Sequence, residues 1–554
     1  MTARIPDSLE RLSPTELIGV VRDLIGEVTR LRSENEKLVG ALSKLKVEHQ
    51  AVKDELARLK HLPPRPLHKP SGMDKATDAK GPEAGDDKGG RLTRRRASQL
   101  DKLTIGATVV VRAKAPVGSR HKGYEDITVQ DLSLRPLVTR YRRERWETPD
   151  GETIVAELDS AIVGGYGPNL HRLVLALHFS GQVICERIVA LLNGMGVVIS
   201  KRQVVRLLTA KLETFRAEDA AVLKAGLSGA YVTVDDTGAR HAGKSGYTTQ
   251  IGSSNFTTFR TGPSKSRLAF LSRLCGGVSL YVINEAALEY MKERGMPQIV
   301  IDKFAHCKDR VFSSPEEWER HLRELGLSEL KVLPDPILIA SEGALWGAVR
   351  HQGLLPDTVV VSDDAGQFRV GAHVLCWVHA ERLVHKLIPA DDKQRNAIEV
   401  AKRMIWWFYR CLKDYKLAPG FEQTQLLRAR FDRIFKRGRT GYATLDSLLK
   451  RLHRHKDELL RVLERPEIPL NSRRMRSIRP TNASENDIRA FVTKRKISGG
   501  TVSDQGRDAR DVMLGLAKTC MKLKLSFYDY IGARLGIPGP KIPDLANLVR
   551  PAPA

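Results

Sequence analysis

Tyr231–Asp236 (YVTVDD) and Val359–Asp364 (VVVSDD) are two short runs rich in β-branched residues, and each ends in a pair of aspartates. Such runs favour buried strands, so each predicts a strand whose carboxylates emerge where the strand ends. Carboxylates brought together from distant strands repel one another unless cations lie between them. The two runs therefore indicate a divalent-metal site at the edge of a sheet, an arrangement suited to phosphodiester chemistry.

A third acid, Glu485, lies far downstream in the segment Thr481–Asp487 (TNASEND). A structural alternative exists, because Asn482 as N-cap with Glu485 three residues later forms a capping box. Both roles are compatible, since a helix-borne acid can be supported by its cap. Arg489 lies one turn later on the same helical face. The same helix offers three further cations to DNA phosphates, namely Lys494, Arg495 and Lys496.

Composition favours a nucleic-acid partner. The chain has 554 residues, enough for several domains, and a formal net charge of +26. Aromatic residues make up only 6%, so contact with backbone phosphates should contribute more to binding than base stacking. The basic clusters are Arg94, Arg95 and Arg96; Arg140, Arg142, Arg143 and Arg145; and Arg473, Arg474, Arg476 and Arg479. For Arg94–Arg96, a solvated charge run is an equal alternative to a phosphate-binding arm.

The six cysteines are scattered and show no CxxC spacing, so neither a zinc ribbon nor a disulfide framework is expected. The N-terminus has no apolar signal region, and no apolar run is long enough to span a bilayer. These features predict a reduced, cytoplasmic protein with no membrane partner.

Leucines recur every seven residues near the N-terminus, and a second apolar series lies between them. This heptad pattern predicts a parallel coiled-coil dimer, in which Asn35 at an a position fixes the register. A single amphipathic helix packed on its own chain is the alternative. The residues proposed for dimerisation are Leu24, Leu31, Asn35, Leu38 and Leu45.

A possible DNA-binding helix follows further along the chain. Residues 183–195 and 201–208 have helical periodicity, a glycine-containing turn separates them, and Ser200 can cap the second helix. This helix-turn-helix pattern would direct Lys201, Arg202 and Arg206 toward DNA. A plain three-helix packing unit is an equal alternative.

The order of elements around the first aspartate pair is specific. Residues 247–251 and 257–260 are predicted hairpin partners of the first strand, and a helix over 264–274 precedes the new strand at 359–362. Three meandering strands, a helix and a further buried strand form the RNase H-like order. In that order the first and fourth strands are neighbours, which would bring Asp235 and Asp363 together.

These features resemble the DDE-type bacterial transposases, and most closely the insertion-sequence-66 family, over most of residues 160–535. The resemblance rests on Val234–Thr237, Val361–Asp363, Cys376–Arg382 (CWVHAER) and Asn482–Glu485. Two features depart from the family pattern. The cysteine-rich zinc module often found before the helix-turn-helix has no cysteines here, and the second aspartate motif reads DDAGQF, which indicates a divergent branch.

The resemblance implies cleavage and joining of DNA with two Mg²⁺ ions, for which Mn²⁺ can substitute. Asp235 and Asp363 would hold and bridge the ions, and Glu485 would complete the second site. Double-stranded transposon ends and target DNA are the implied partners, together with a second copy of the chain, possible higher oligomers and possible accessory proteins. A structure-specific nuclease of the RNase H-like class and a zipper-dimerised, non-catalytic DNA-binding regulator are the alternative functions.

Several assignments stay open on sequence alone. Asp236 and Asp364 are alternatives to the first aspartate of each pair, and closing a turn is a structural alternative for either pair. The resemblance places His379 beside the site, contacting DNA or positioning a metal-bound group. A buried, hydrogen-bonded histidine is an equal alternative.

The fold class expected is α/β, with an RNase H-like core carrying helical insertions after a coiled coil and a helix-turn-helix-like region. The expected organisation, by residue number, is a leucine zipper (1–61), a flexible linker (62–100), a small strand-rich basic region (101–160), a helix-turn-helix-like region (161–225), the first part of the core (226–278), an insertion (279–355), the second part of the core (356–380), a helical insertion (381–479), the last part of the core with the Glu485 helix (480–535) and a tail (536–554).

Overall fold

A computed structural model describes residues 104–112, 114, 116, 119, 120, 122, 124–277, 280–330, 334–436, 440–470 and 483–550, together with 19, 25, 26, 28–31 and 34. The side chains of 328 and 483–486 are outside this description.

The chain divides into two compact units, residues 1–72 and 73–554. The described residues of the first unit are helical, and Leu31 is exposed in the single chain. The other zipper positions Leu24, Asn35, Leu38 and Leu45, the linker at 62–100, and Arg94–Arg96, Arg473 and Arg474 lie outside the described residues.

The region at 101–160 contains less strand than its β-branched residues predict. Its described part has a single hairpin, in which β1 (Arg145–Glu147) pairs with β2 (Thr153–Val155) across a turn at residues 148–152. The β-branched run Thr108–Val111 lies in the region predicted to be strand-rich, but it forms no strand. The physical reason is that Val109 and Val111 are more than four-fifths exposed, and a strand gains little without a surface to pack against.

Within the described residues from 124 onward, four α-helices precede the sheet: α1 (Pro168–Leu175), α2 (Cys185–Gly194), α3 (Lys201–Thr209) and α4 (Leu212–Gly226). The expected cap of α3 is present, because Ser200 and Gln203 exchange hydrogen bonds in a capping box. Buried Val204 and Leu207 pack α3 into the main hydrophobic core. The exposed face of α3 carries Arg202 and Arg206.

A five-stranded mixed sheet lies at the centre of the second unit. Its strands are β3 (Tyr231–His241), β4 (Lys244–Gly252), β5 (Thr257–Gly262), β6 (Val359–Ser362) and β7 (His373–Leu375). The spatial order is β5-β4-β3-β6-β7; the first three strands are antiparallel, and β6 and β7 run parallel to β3. The predicted pairing of the first and fourth strands is thus confirmed, as is the α/β class.

Helices surround and extend this sheet. Between β5 and β6 lie α5 (Arg267–Leu274), α6 (Glu285–Glu293), α7 (Gln298–Ala305), α8 (Pro315–Glu324) and α9 (Pro336–His351). After β7 come α10 (Trp377–His385), α11 (Asp392–Leu417), α12 (Phe421–Phe435), α13 (Ala443–Arg454) and α14 (Lys456–Leu460), and then α15 (Ala483–Ser498), α16 (Asp504–Lys522), α17 (Phe527–Arg534) and α18 (Leu545–Val549). Residues of α10–α14 form a hydrophobic core of their own.

An aromatic run in α11, Trp406–Tyr409, contributes mainly to that core. Phe408 and Tyr409 are fully buried, whereas Trp407 is partly exposed and lies under the guanidinium of Arg430. Among the described residues, no helix combines the length and apolarity needed to cross a bilayer.

Candidate active site

The pairing of β3 with β6 brings the two aspartate pairs together. Tyr231 is in register with Val359 and Thr233 with Val361, so two residues further along Asp235 reaches the level of Asp363. Because side chains alternate along a strand, Asp235 and Asp363 share one face of the sheet. Burial raises the pKa of Asp235 to about 6, and the nearby carboxylates of Asp363 and Asp236 contribute, while His379 opposes the shift.

Asp235 does not end its strand, contrary to the sequence-based expectation. β3 continues to His241 because its hairpin with β4 extends well past the parallel pairing with β6. β6, in contrast, stops at Ser362, immediately before Asp363. The strand pairing on this side of β3 therefore ends with β6, and Asp235 lies beside the point where β6 ends.

The helix that carries Glu485 lies on the same face. On β4 and β5, the residues level with Asp235 are Gln250 and Phe259. The ring of Phe491 on α15 is 5.5 Å from that of Phe259, and Asp487 accepts a hydrogen bond of 2.6 Å from Thr257. α15 therefore covers the face that carries Asp235.

The side chain of Glu485 and the predicted capping residue Asn482 lie outside the described parts of the chain. The helix of Glu485 begins at Ala483.

Asp236, the second acid of the first pair, is engaged on the opposite face of β3. Thr249 donates a hydrogen bond to one of its oxygens, and Gln367 donates to the other at 3.1 Å. Thr249 in turn accepts a hydrogen bond of 2.6 Å from Arg273. These contacts give Asp236 a structural role that needs no metal ion.

Asp364, the second acid of the other pair, forms ion pairs with Arg369 and Arg451. Arg451 belongs to α13, so the helical segment after β7 contacts the chain directly beside Asp363. Of the four aspartates, Asp235 and Asp363 are therefore the pair that faces one another across β3 and β6.

His379 lies in the first turn of α10, close to both aspartates. Burial lowers its pKa, but the neighbouring Cys376 side chain and the Asp363 carboxylate outweigh that effect and raise the pKa to about 9. Its Nδ1 atom is buried and has no hydrogen-bond partner in the part of the chain that the structure describes. His379 is therefore a partly buried histidine beside the two aspartates, and its proposed role toward DNA or a metal-bound group stays a prediction.

Gln250 is a residue of this face that sequence reasoning missed. It is fully buried opposite Asp235, and neither its amide oxygen nor its amide nitrogen has a hydrogen-bond partner within the described residues. Buried polar groups without partners are rare and costly in native proteins. Sequence alone does not single out Gln250, because only the register of the β3–β4 hairpin places it opposite Asp235.

The cations proposed for DNA binding differ in accessibility. Lys201, Arg202 and Arg206 are exposed on α3, and Lys201 forms an exposed ion pair with Glu186. On α15, Arg489 and Lys496 are exposed and Arg495 is half-buried.

Lys494 requires a correction, because it is only 2% exposed and donates a 2.8 Å hydrogen bond to the carbonyl of His178. Burial lowers its pKa to about 8. Lys494 therefore fixes α15 to the segment that follows α1 and is not placed to contact DNA phosphates.

The carboxylates of this site meet the needs of a divalent cation in part. Within the described side chains, no group of three or more His, Cys, Asp and Glu residues is arranged to hold a metal ion. Two partly buried carboxylates side by side nevertheless fit a hard cation, which prefers oxygen ligands and removes their mutual repulsion. The fit is partial, since the third expected ligand is the undescribed side chain of Glu485.

Comparison with known proteins gives two matches. A family model described as "Transposase IS66 family" matches residues 361–509, a range that includes Asp363, His379 and Glu485. The chain is 52% identical over 329 residues to the uncharacterized protein y4jO of Sinorhizobium fredii (strain NBRC 101917 / NGR234). That alignment covers 59% of this chain and 99% of the relative. No solved structure matches the chain significantly.

The chain belongs to the IS66 family of transposases, which confirms the resemblance inferred from its motifs. Membership of this family implies DNA binding and activity in transposition.

Proposed function

We propose that the protein is a dimeric, metal-dependent DDE transposase that binds transposon ends, cuts them and joins their 3′ ends to target DNA. The observation that carries this proposal is the juxtaposition of Asp235 and Asp363 on adjacent parallel strands, under the helix that bears Glu485. The strand order, with three antiparallel strands followed by two parallel ones, supports an RNase H-like core.

Each site residue has a proposed role. Asp235 and Asp363 would hold two Mg²⁺ ions, or Mn²⁺ in their place, and Glu485 would complete the second ion site. The chemistry that such ions supply is activation of the attacking oxygen and stabilisation of the leaving oxygen. His379 would position a metal-bound group or contact the DNA backbone, and Arg489 and Lys496 would hold phosphates near the acids.

Recognition of the DNA ends would fall to the segment α2–α3, which we propose acts as a helix-turn-helix. The exposed Lys201, Arg202 and Arg206 would contact the phosphates or the major groove. The N-terminal zipper would pair two chains so that two ends are held together, and accessory proteins would complete the assembly.

A transposition assay tests the function as a whole. The DNA flanking this reading frame supplies the natural ends, and a plasmid carries them around a resistance marker together with the gene and its neighbours. In a parallel test, purified protein and Mg²⁺ act on end fragments in the presence of a target plasmid. Joined products support the proposal. Cutting without joining would indicate a nuclease, and binding without either reaction would indicate a regulator.

A salt titration tests the DNA-binding assignment of α3. Replacing both Arg202 and Arg206 with alanine should weaken end binding and reduce the steepness of its salt dependence, because each lost phosphate contact removes about 0.9 from the slope of log K against log salt. Binding is measured by fluorescence anisotropy from about 50 to 200 mM salt. Lys224→Ala, on the exposed face of α4, is the matched control. An unchanged slope in the double variant would contradict this assignment.

A further inference from the structure

Three hydrogen-bonded polar side chains, Ser362, His373 and Glu458, connect the backbone of Asp363 to the helical segment after β7. The hydroxyl Oγ of Ser362, the last residue of β6, is 2.8 Å from Nε2 of His373, the first residue of β7. Nδ1 of the same histidine is 3.1 Å from Oε1 of Glu458 on α14. Ser362 and His373 are 2% and 5% exposed, so water contributes little to this chain of hydrogen bonds.

The directions of these hydrogen bonds follow from the available protons. Oγ of Ser362 also lies 2.6 Å from the carbonyl oxygen of Asp363, which can only accept, so the single hydroxyl proton is donated there. Oγ must then accept a hydrogen bond from Nε2 of His373. Glu458 is the last member of this series of hydrogen bonds and accepts from Nδ1 of His373.

The ionisation of Glu458 agrees with that role. Burial raises its pKa, but the hydrogen bond and charge of His373, together with Arg369 and His455, outweigh the burial and leave the pKa lowered. An ionised carboxylate can only accept, so Nδ1 of His373 is the donor in its hydrogen bond with Glu458.

The same arrangement argues against a hydrolytic Ser-His-Glu triad. A nucleophilic hydroxyl must be reachable by substrate and must give its proton to the histidine. The hydroxyl of Ser362 is buried and donates to the Asp363 carbonyl instead. The chain is therefore suited to holding a backbone group in place.

A second connection reinforces the first. Arg369 contacts both Asp364 and Glu458, and Arg451 of α13 contacts Asp364. The peptide from Asp363 to Asp364 is thus held on one side through Ser362 and on the other through Asp364. Both connections lead to α13 and α14.

We infer that Ser362, His373 and Glu458 form a positioning relay through which the α13–α14 segment fixes the backbone of Asp363, and with it the direction in which its carboxylate meets a divalent cation. The inference rests on the proposed function, because Asp363 needs a fixed direction only if it binds metal. The three residues are positioning residues, since they would act through the backbone of Asp363. Groups that orient metal ligands typically change metal affinity by about 10- to 100-fold when they are lost.

The variants that test the relay are Ser362→Ala, Glu458→Met and Glu458→Gln in the full-length protein. The first two break the relay, whereas glutamine keeps a hydrogen-bonding group of the same size beside His373. His453→Met is the matched control, because His453 lies in the same helical segment and hydrogen-bonds Asp432, outside the relay.

Mg²⁺ is titrated into an end-cleavage reaction, and Mn²⁺ binding without DNA is followed by electron paramagnetic resonance. Ser362→Ala and Glu458→Met should raise the half-saturating concentration of either ion about tenfold, with DNA affinity unchanged. Glu458→Gln should stay within about threefold of wild type and His453→Met should match it. If the melting temperature shows that Glu458→Met is unfolded, the metal affinity of Ser362→Ala alone tests the relay, since this substitution removes only a single oxygen atom.

Unchanged metal affinity in folded Ser362→Ala would overturn the relay while leaving the proposed function intact. A wild-type protein that neither binds Mn²⁺ at Asp363 nor cleaves ends would instead overturn the proposed function, and the relay with it.

Discussion

Asp235→Asn and Asp363→Asn should each reduce end cleavage and strand joining by about 10³-fold, equivalent to about 4 kcal/mol of activation free energy. The two carboxylates lie side by side, Asp235 within β3 and Asp363 directly after β6, and an amide cannot replace a charged ligand of a divalent cation. Cleavage and joining are measured separately, on uncut and on pre-cut ends, with saturating Mg²⁺. Binding of the ends should remain within about twofold of wild type, because α3 is untouched.

Stability provides a control for these variants. Burial and Asp363 raise the pKa of Asp235 to about 6, so its folded pKa lies above its unfolded value near 4. The metal-free protein therefore loses stability as the pH rises from about 4 to 6, the range in which Asp235 ionises. Asp235→Asn removes this cost, so its melting temperature at neutral pH should equal or exceed that of wild type.

The second aspartates should behave in the opposite way. Asp236→Asn and Asp364→Asn disturb hydrogen bonds and ion pairs with Thr249, Arg369 and Arg451, so both should lower the melting temperature. Their folded fractions should keep cleavage activity within about tenfold of wild type. The assignment would be wrong if Asp236→Asn were stable and inactive while Asp235→Asn remained active.

Lys522→Met should lower the free energy of unfolding by about 3–5 kcal/mol, the largest stability effect that we expect. Lys522 on α16 forms a buried ion pair with Asp487 on α15 and donates to the carbonyls of Ser253 and Phe256 at 2.8 Å. Its removal leaves the carboxylate of Asp487, which is 2% exposed, buried without its cation. Chemical denaturation monitored by circular dichroism measures the change.

The same variant tests how α15 is held against the sheet. Asp487 lies two residues from Glu485, so loosening this pair should also reduce cleavage in the fraction that remains folded. The double variant Asp487→Asn with Lys522→Met removes the uncompensated charge and should recover stability relative to Lys522→Met. Lys518→Met, half-buried on the same helix, is the matched control and should cost less than about 1 kcal/mol. A Lys522→Met protein as stable as this control would contradict the argument.

The sequence predicts the parts of this structure that depend on local pattern. The β-branched runs at 231–236 and 359–362 are strands, and the element order is enough to predict their parallel pairing. Ser200 caps its helix as expected, since capping involves residues only three positions apart.

Long-range partners decide the rest, and no local pattern reveals them. Thr108–Val111 has strand composition but no surface on which to pack. By sequence Lys494 resembles its exposed neighbour Lys496, but the segment after α1 covers it in the structure. The sequence alone also leaves open which aspartate of each pair serves as a proposed metal ligand. Thr249 engages Asp236 and Arg451 engages Asp364, and both partners come from other elements.

The pairing of β5 with α16 has a consequence for the timing of synthesis. Thr257 and Thr519 exchange hydrogen bonds of 3.1 Å although 262 positions separate them. Lys522, the last residue of α16, is the ion-pair partner of Asp487. The surface that holds Asp487 therefore forms only after the whole of α16 has left the ribosome. Contacts this distant in sequence form late and slowly in folding. A nascent chain therefore carries α1–α4 long before α15 can be fixed over Asp235, so the proposed DNA-binding segment would be complete before the proposed active site.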